Sequence, residues 1–131
     1  MPSFEESVIC RVPPLEAWKV LHDPVRVPEW YFGVEHATAT PDGAILYLGD
    51  REEDAYPVRI APERESSRVL VRCLITDDLY TWSLEPHPDG CLVRVRVDVA
   101  AAEHFDECRD GVLASLPKLA AAAEGSGVSS G

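Results

Sequence analysis

Every second residue from Val93 to Val99 is a valine, and between them stand Arg94, Arg96 and Asp98. A period of two places the valines on one face of a strand and the charges on the other. A strand of this kind belongs to an antiparallel sheet with one covered and one wet face, so an apolar element must lie on the valines. The chain supplies one directly afterwards. From Ala101 to about Ala123 the residues Phe105, Cys108, Val112, Leu116, Leu119 and Ala123 recur at three or four, which is one apolar stripe along a long helix. Glu103, Asp106 and Glu107 fall in its early turns, where the helix dipole favours negative charge. Gly111 and Pro117 weaken it locally, and Pro117 is expected to bend it. The last strand and the last helix are therefore expected to face each other.

The rest of the chain reads as more of the same sheet, preceded by two short helices. Phe4, Glu6, Val8, Cys10 and Val12 share one parity, giving a first strand over Phe4–Val12 that is apolar on that side except at Glu6. Pro13-Pro14 ends it, and a proline opens the next helix without losing a hydrogen bond. That helix runs over Leu15–Leu21. Asp23-Pro24 stops it and caps a second, which Pro28 limits to a turn or two and Gly33 ends. Strands follow at Val34–Thr40, at Ala44–Leu48, around Tyr56, Val58 and Ile60, and over Arg68–Thr76. Another carries Tyr80, Trp82 and Leu84, and the valine strand comes last. Pro41-Asp42-Gly43, Asp77-Asp78 and His87-Pro88-Asp89-Gly90 are the turns between them, and Asp50–Asp54 is a solvated acidic loop.

Composition narrows the function. The chain has 131 residues and 46% hydrophobic content, enough for a single core. Its 23 acidic residues against 12 basic ones give a net charge of −11, which argues against binding nucleic acid or an anionic membrane. There is no apolar run of about 18 residues to span a membrane, and the N-terminus has no signal-peptide pattern. Cys10, Cys73, Cys91 and Cys108 are scattered without metal-ligand spacing. They read as reduced, mostly buried side chains of a cytoplasmic protein. No metal and no cofactor is expected. Nucleophile-elbow, P-loop and dinucleotide-binding patterns are absent.

The order strand, two short helices, about six strands, long helix resembles the START-like or SRPBCC superfamily, whose fold is called the helix-grip. Two motifs support the resemblance. Val12–Pro24, VPPLEAWKVLHDP, followed by Trp30, is similar to that superfamily's opening turn, helix and D-P segment. Gly111–Leu119, GVLASLPKL, is similar to a motif of the branch related to activators of a heat-shock chaperone ATPase, with Val112 where that branch has Trp. The resemblance covers residues 4–124. It implies an α+β domain over residues 1–124, a curved antiparallel sheet of about seven strands with a long C-terminal helix over a cavity. Residues 125–131 remain as a flexible tail.

What the resemblance implies for function is an internal pocket for a small hydrophobic or amphipathic ligand, lipid-like or polyketide-like, beneath Gly111–Leu119. The residues expected to line it are Trp30, Phe32, His36, Tyr47, Tyr56, Val58, Val71, Tyr80, Trp82, Val95, Phe105, Cys108, Val112 and Leu116. The same positions serve equally to fill a solid core. His36 shares the parity of Val34, so it is expected to point inward, where an imidazole near Tyr47, Tyr56 or Tyr80 would suit proton transfer. No catalytic residue is assigned. His22-Asp23 reads as a helix end, and His87 and His104 as surface residues. A polyketide cyclase or dehydratase and a co-chaperone are the alternatives, and the oligomeric state, monomer or homodimer, is open.

Overall fold

The computed structural model describes residues 2–49 and 51–129. Its strands are β1 (Ser3–Cys10), β2 (His36–Thr40), β3 (Gly43–Tyr47), β4 (Ala55–Glu63), β5 (Arg68–Cys73), β6 (Leu79–His87) and β7 (Gly90–Asp98). Its α-helices are α1 (Pro14–Leu21), α2 (Val27–Trp30) and α3 (Phe105–Ser129). The strands form one antiparallel sheet in the order β1-β7-β6-β5-β4-β3-β2, with β1 and β2 at its edges. Five hairpins link neighbours from β2 to β7, and only β1 reaches its partner across the length of the chain. The layout is that of a helix-grip, α+β with short helices and a long C-terminal helix.

The signals at the first helices act as their chemistry dictates. Asp23 caps a short 3-10 turn, Pro24–Arg26, by accepting a hydrogen bond from the Val25 N–H. Pro28 falls in the first turn of α2, where its missing N–H costs nothing. Gly33 takes a φ of +86°, which turns the chain out of α2 toward the sheet. His22 ends α1, bonded to the Trp18 carbonyl through Nδ1 at 2.7 Å and stacked on the Trp18 ring.

Register sorts the concave face into rows that run across the strands. One row is Ile60, Val71, Tyr80, Val97 and Phe4. The next is Pro62, Val69, Trp82, Val95 and Glu6. Glu6, the exception in the first strand's apolar set, meets Arg109 of α3, with Nε 3.2 Å from Oε2. The apolar stripe of α3 lies on this face as expected: Val112, Leu116, Leu119 and Ala123 are buried in one core with Val93, Val95, Val97 and Val99. The helix packs along β1 and against α1 and α2, while the 3-10 turn reaches β2 and β3. Helical backbone continues past Ala123 to Ser129, into the segment that the sequence marks as tail.

Several boundaries differ from the sequence reading. The second strand begins at His36, not Val34, because Gly33 breaks the chain direction just before it. β5 ends at Cys73, so Ile75 is exposed in a turn in which Asp77 has a φ of +66°. No helix among the described residues is long and apolar enough to cross a membrane.

Candidate functional site

The two rows differ in what they leave open. Val69 and Val95 are completely inaccessible and Trp82 is 1% exposed; Val112 and Leu119 above them are also inaccessible. A side chain with no accessible surface touches no void large enough for water, so the layer between β5–β7 and the middle of α3 is solid. The hollow expected beneath Gly111–Leu119 is filled. In the neighbouring row Val97 is inaccessible too, but its other members are not. Ile60, Val71, Tyr80 and Phe4 are only partly buried, as are Tyr31 after α2 and Phe105 and Cys108 in the first turn of α3. These side chains pack on the core with one side and remain accessible on the other. The candidate site is this end of the grip, bounded by β4–β6, the end of α2 and the start of α3.

Aromatic edges build its floor. Trp30 meets Trp82 edge to face at 5.0 Å, Tyr31 meets Tyr80 at 6.2 Å, and Phe105 meets Phe4 at 5.4 Å. Edge-to-face pairs add roughly 0.5–1.5 kcal/mol each beyond the area they bury. Ser115, completely buried, holds the turn after α2 against α3: its Oγ accepts the Phe32 N–H at 2.9 Å and donates to the Gly111 carbonyl at 2.7 Å. The Tyr31 hydroxyl ends near Gly111, where an added Cβ would lie 4.0 Å from it. The Trp30 Nε1–H is buried without a hydrogen-bond partner.

A polar chain runs through this apolar end. The Tyr31 hydroxyl donates to the Tyr80 hydroxyl at 3.3 Å, the Tyr80 hydroxyl lies 3.5 Å from Cys108 Sγ, and the Cys108 thiol donates to Asp78 Oδ2 at 3.5 Å. Asp78 is 5% exposed. It also accepts the Thr76 hydroxyl at Oδ2, 2.9 Å, and the Ala100 N–H at Oδ1, 2.8 Å. Burial pushes the Tyr31 phenol up to about 12 and raises Tyr80 and Cys108 above their ordinary ranges, since a charge there would be desolvated.

The sequence-expected lining divides four ways. Tyr80, Val71, Phe105 and Cys108 are brought together at the accessible end, with Tyr56 and Val58 on the same face of β4. Trp30, Trp82, Val95, Val112 and Leu116 belong to the packed core. His36 and Tyr47 face away: they pair across β2 and β3 and stack at 4.2 Å on the convex side, opposite the face carrying Leu46 and Val58. Val34 lies outside the strand, so its parity does not carry over to His36. Phe32 is 58% exposed. Tyr31 and Asp78 belong to the site without a sequence signal that marks them. Asp78 looks like a turn residue, and its partners Ala100 and Cys108 lie 22 and 30 residues away.

Cys10 and Cys91 sit opposite each other on β1 and β7, both inaccessible, and all four cysteines are free. Burial, with Cys91 and Glu124 nearby, pushes the Cys10 thiol up to about 12, so it behaves as a small apolar side chain. Among the described residues no group of three or more His, Cys, Asp or Glu side chains is placed to hold a metal ion. A surface depression at the β4–β5 turn is lined by the exposed Glu63, Arg64, Glu65 and Ser66.

No protein-family model matches the chain, and none of the curated proteins matches it. Solved structures do. The protein XoxI from Bacillus cereus superposes with a TM-score of 0.77 over 93% of this chain and 95% of its own, at 14% identity. DynU16, a protein of the dynemicin biosynthetic locus, gives 0.71 at 20% identity, and the di-domain ARO/CYC BexL from the BE-7585A biosynthetic pathway gives 0.72 at 13%. The chain shares their fold. It covers 90% and 96% of itself in these two matches but only 45% and 46% of DynU16 and BexL, about half of each. At such identities the likeness speaks for architecture, and function has to be argued from the site.

Proposed function

We propose that this protein is a START-like binding module that takes a small hydrophobic or amphipathic ligand, lipid-like or polyketide-like, at the accessible end of the grip. The observation that carries this reading is the row Ile60–Val71–Tyr80. These inward-facing residues stay partly accessible beside the buried Val69, Trp82 and Val95, and Tyr31, Phe105 and Cys108 complete an apolar wall with few polar groups. Mostly apolar walls with a small number of placed polar atoms suit small molecules. The solid layer under α3 limits the ligand to one that enters from this end and stacks against the aromatic edges.

Binding is favoured over cyclase or dehydratase chemistry for a specific reason. Tyr31, Tyr80 and Cys108 hold their protons at neutral pH, so none of the three is a general base there. His36, which would have supplied one, lies on the other face. Native mass spectrometry of the protein after exposure to lipophilic extracts tests the reading. A retained adduct that is lost when Val71 is replaced by Asp supports it. No adduct under any condition would sink it.

A further inference from the structure

The polar chain at the candidate site has a direction, and that direction has a consequence for any ligand. Both carboxylate oxygens of Asp78 are acceptors, Oδ1 of the Ala100 N–H and Oδ2 of the Thr76 hydroxyl. Asp78 therefore fixes the Cys108 thiol as a donor toward Oδ2, 3.5 Å away. With its one proton so used, Cys108 Sγ meets Tyr80 as the acceptor of the Tyr80 hydroxyl, again at 3.5 Å. Tyr80, its own proton spent on sulfur, accepts the proton of Tyr31 at 3.3 Å. Each hydroxyl or thiol has one proton to give, and all are given in one sense, from Tyr31 toward Asp78. Tyr31 is left with unused lone pairs and no proton to offer. Burial keeps both phenols neutral, which preserves this order.

Resting on the binding reading above, we infer that the site selects ligands by hydrogen-bond polarity: the Tyr31 oxygen receives a hydroxyl or phenol of the ligand and gives no hydrogen bond to a carbonyl or ether. The substrate class is thus an aromatic or polycyclic apolar body carrying a free hydroxyl. Asp78 sets this choice from the far end of the relay without reaching the ligand, so it is a positioning residue.

That role makes an unusual expectation for Asp78→Asn. The Ala100 N–H, 2.8 Å from Oδ1, holds an amide oxygen in place there, so the amide nitrogen takes the position of Oδ2. It donates to Cys108 Sγ and to Thr76, the thiol turns to Tyr80, Tyr80 turns to Tyr31, and the Tyr31 proton is freed. One isosteric substitution reverses the relay.

Equilibrium dialysis with two probes of one ring, 1-naphthol and 1-methoxynaphthalene, tests the inference. The ratio of the two affinities in Tyr31→Phe gives the baseline for shape and solvation. In the wild type the ratio is expected to favour naphthol by roughly three- to tenfold more than in Tyr31→Phe, the effect of one hydrogen bond. In Asp78→Asn it is expected to fall to the baseline or below. Equal ratios in wild type and Tyr31→Phe, with both probes bound, overturn the polarity argument and leave the binding reading standing. A wild-type ratio retained in Asp78→Asn overturns the relay. Binding of neither probe by the wild type overturns the site itself.

Discussion

Two valines on the same concave face provide a quantitative test of where the grip is solid and where it is open. Val95 of β7 is inaccessible and lies between Glu6 and Trp82 across the sheet; Val71 of β5 lies between Ile60 and Tyr80 and is partly accessible. Replacing either by Ala removes two methyl groups. At Val95 the lost transfer energy is about 1.6 kcal/mol, at ~0.8 kcal/mol for each carbon. A close-packed site also keeps a cavity, which adds on the order of 1 kcal/mol. Val95→Ala is thus expected to cost about 2.5 kcal/mol. Val71→Ala loses most of the same transfer energy but opens onto solvent and keeps no closed cavity, so it is expected to cost about 1–1.5 kcal/mol. Urea denaturation of both variants, analysed by linear extrapolation with unchanged slopes, measures the gap. Equal costs, or a Val95→Ala cost under about 1 kcal/mol, would refute the claim that the middle of the layer is filled.

Other outcomes follow from the same geometry. Ser115→Ala removes the acceptor of the Phe32 N–H and the donor to Gly111, and should destabilise by about 1–3 kcal/mol; a change within the scatter of denaturation would show that the turn is held by packing alone. Gly90 has a φ of +142°, and a Cβ there would run into the Cys10 carbonyl and the Val12 N–H. Gly90→Ala should therefore cost about 2 kcal/mol or more in a thermal or chemical melt, and a neutral result would contradict the close approach of the β6–β7 turn to β1. The folded-state pKa values of Tyr31 and Tyr80 lie above those of an unfolded chain, near 10. The folded state then keeps protons that the unfolded state releases, so stability is intact below about pH 10 and declines as pH rises toward 12. Tyrosinate absorbance followed through an alkaline melt should show two of the four tyrosines ionising late, and all four ionising together in folded protein would count against their burial.

The sheet and the long helix were legible because their signals are local and periodic. The alternation at Val93–Val99 and the stripe from Phe105 to Ala123 each specify a face, and the two faces meet. Asp23-Pro24 carries its cap within two residues. The site was less legible because its determinants are not periodic. His36 was assigned by counting from Val34, but parity holds only within a strand, and Gly33 resets it just before β2. Asp78 sits in a turn dipeptide beside Asp77, and only the fold brings Ala100 and Cys108 to it. Tyr31 follows α2 with no pattern of its own; the Ser115 contact that fixes the turn beside it spans 83 residues. Whether the inner face was open or filled also could not be read, since the same side chains serve both, and both outcomes occur on one face.

Amide chemical-shift mapping on isotope-labelled protein with 1-naphthol is the most direct measurement of where a ligand sits. The expected result is shifts confined to the backbone around Tyr31, Val71, Tyr80, Phe105 and Cys108. Shifts centred on Val95, Leu116 and Leu119, or none anywhere at saturating probe, would contradict the account.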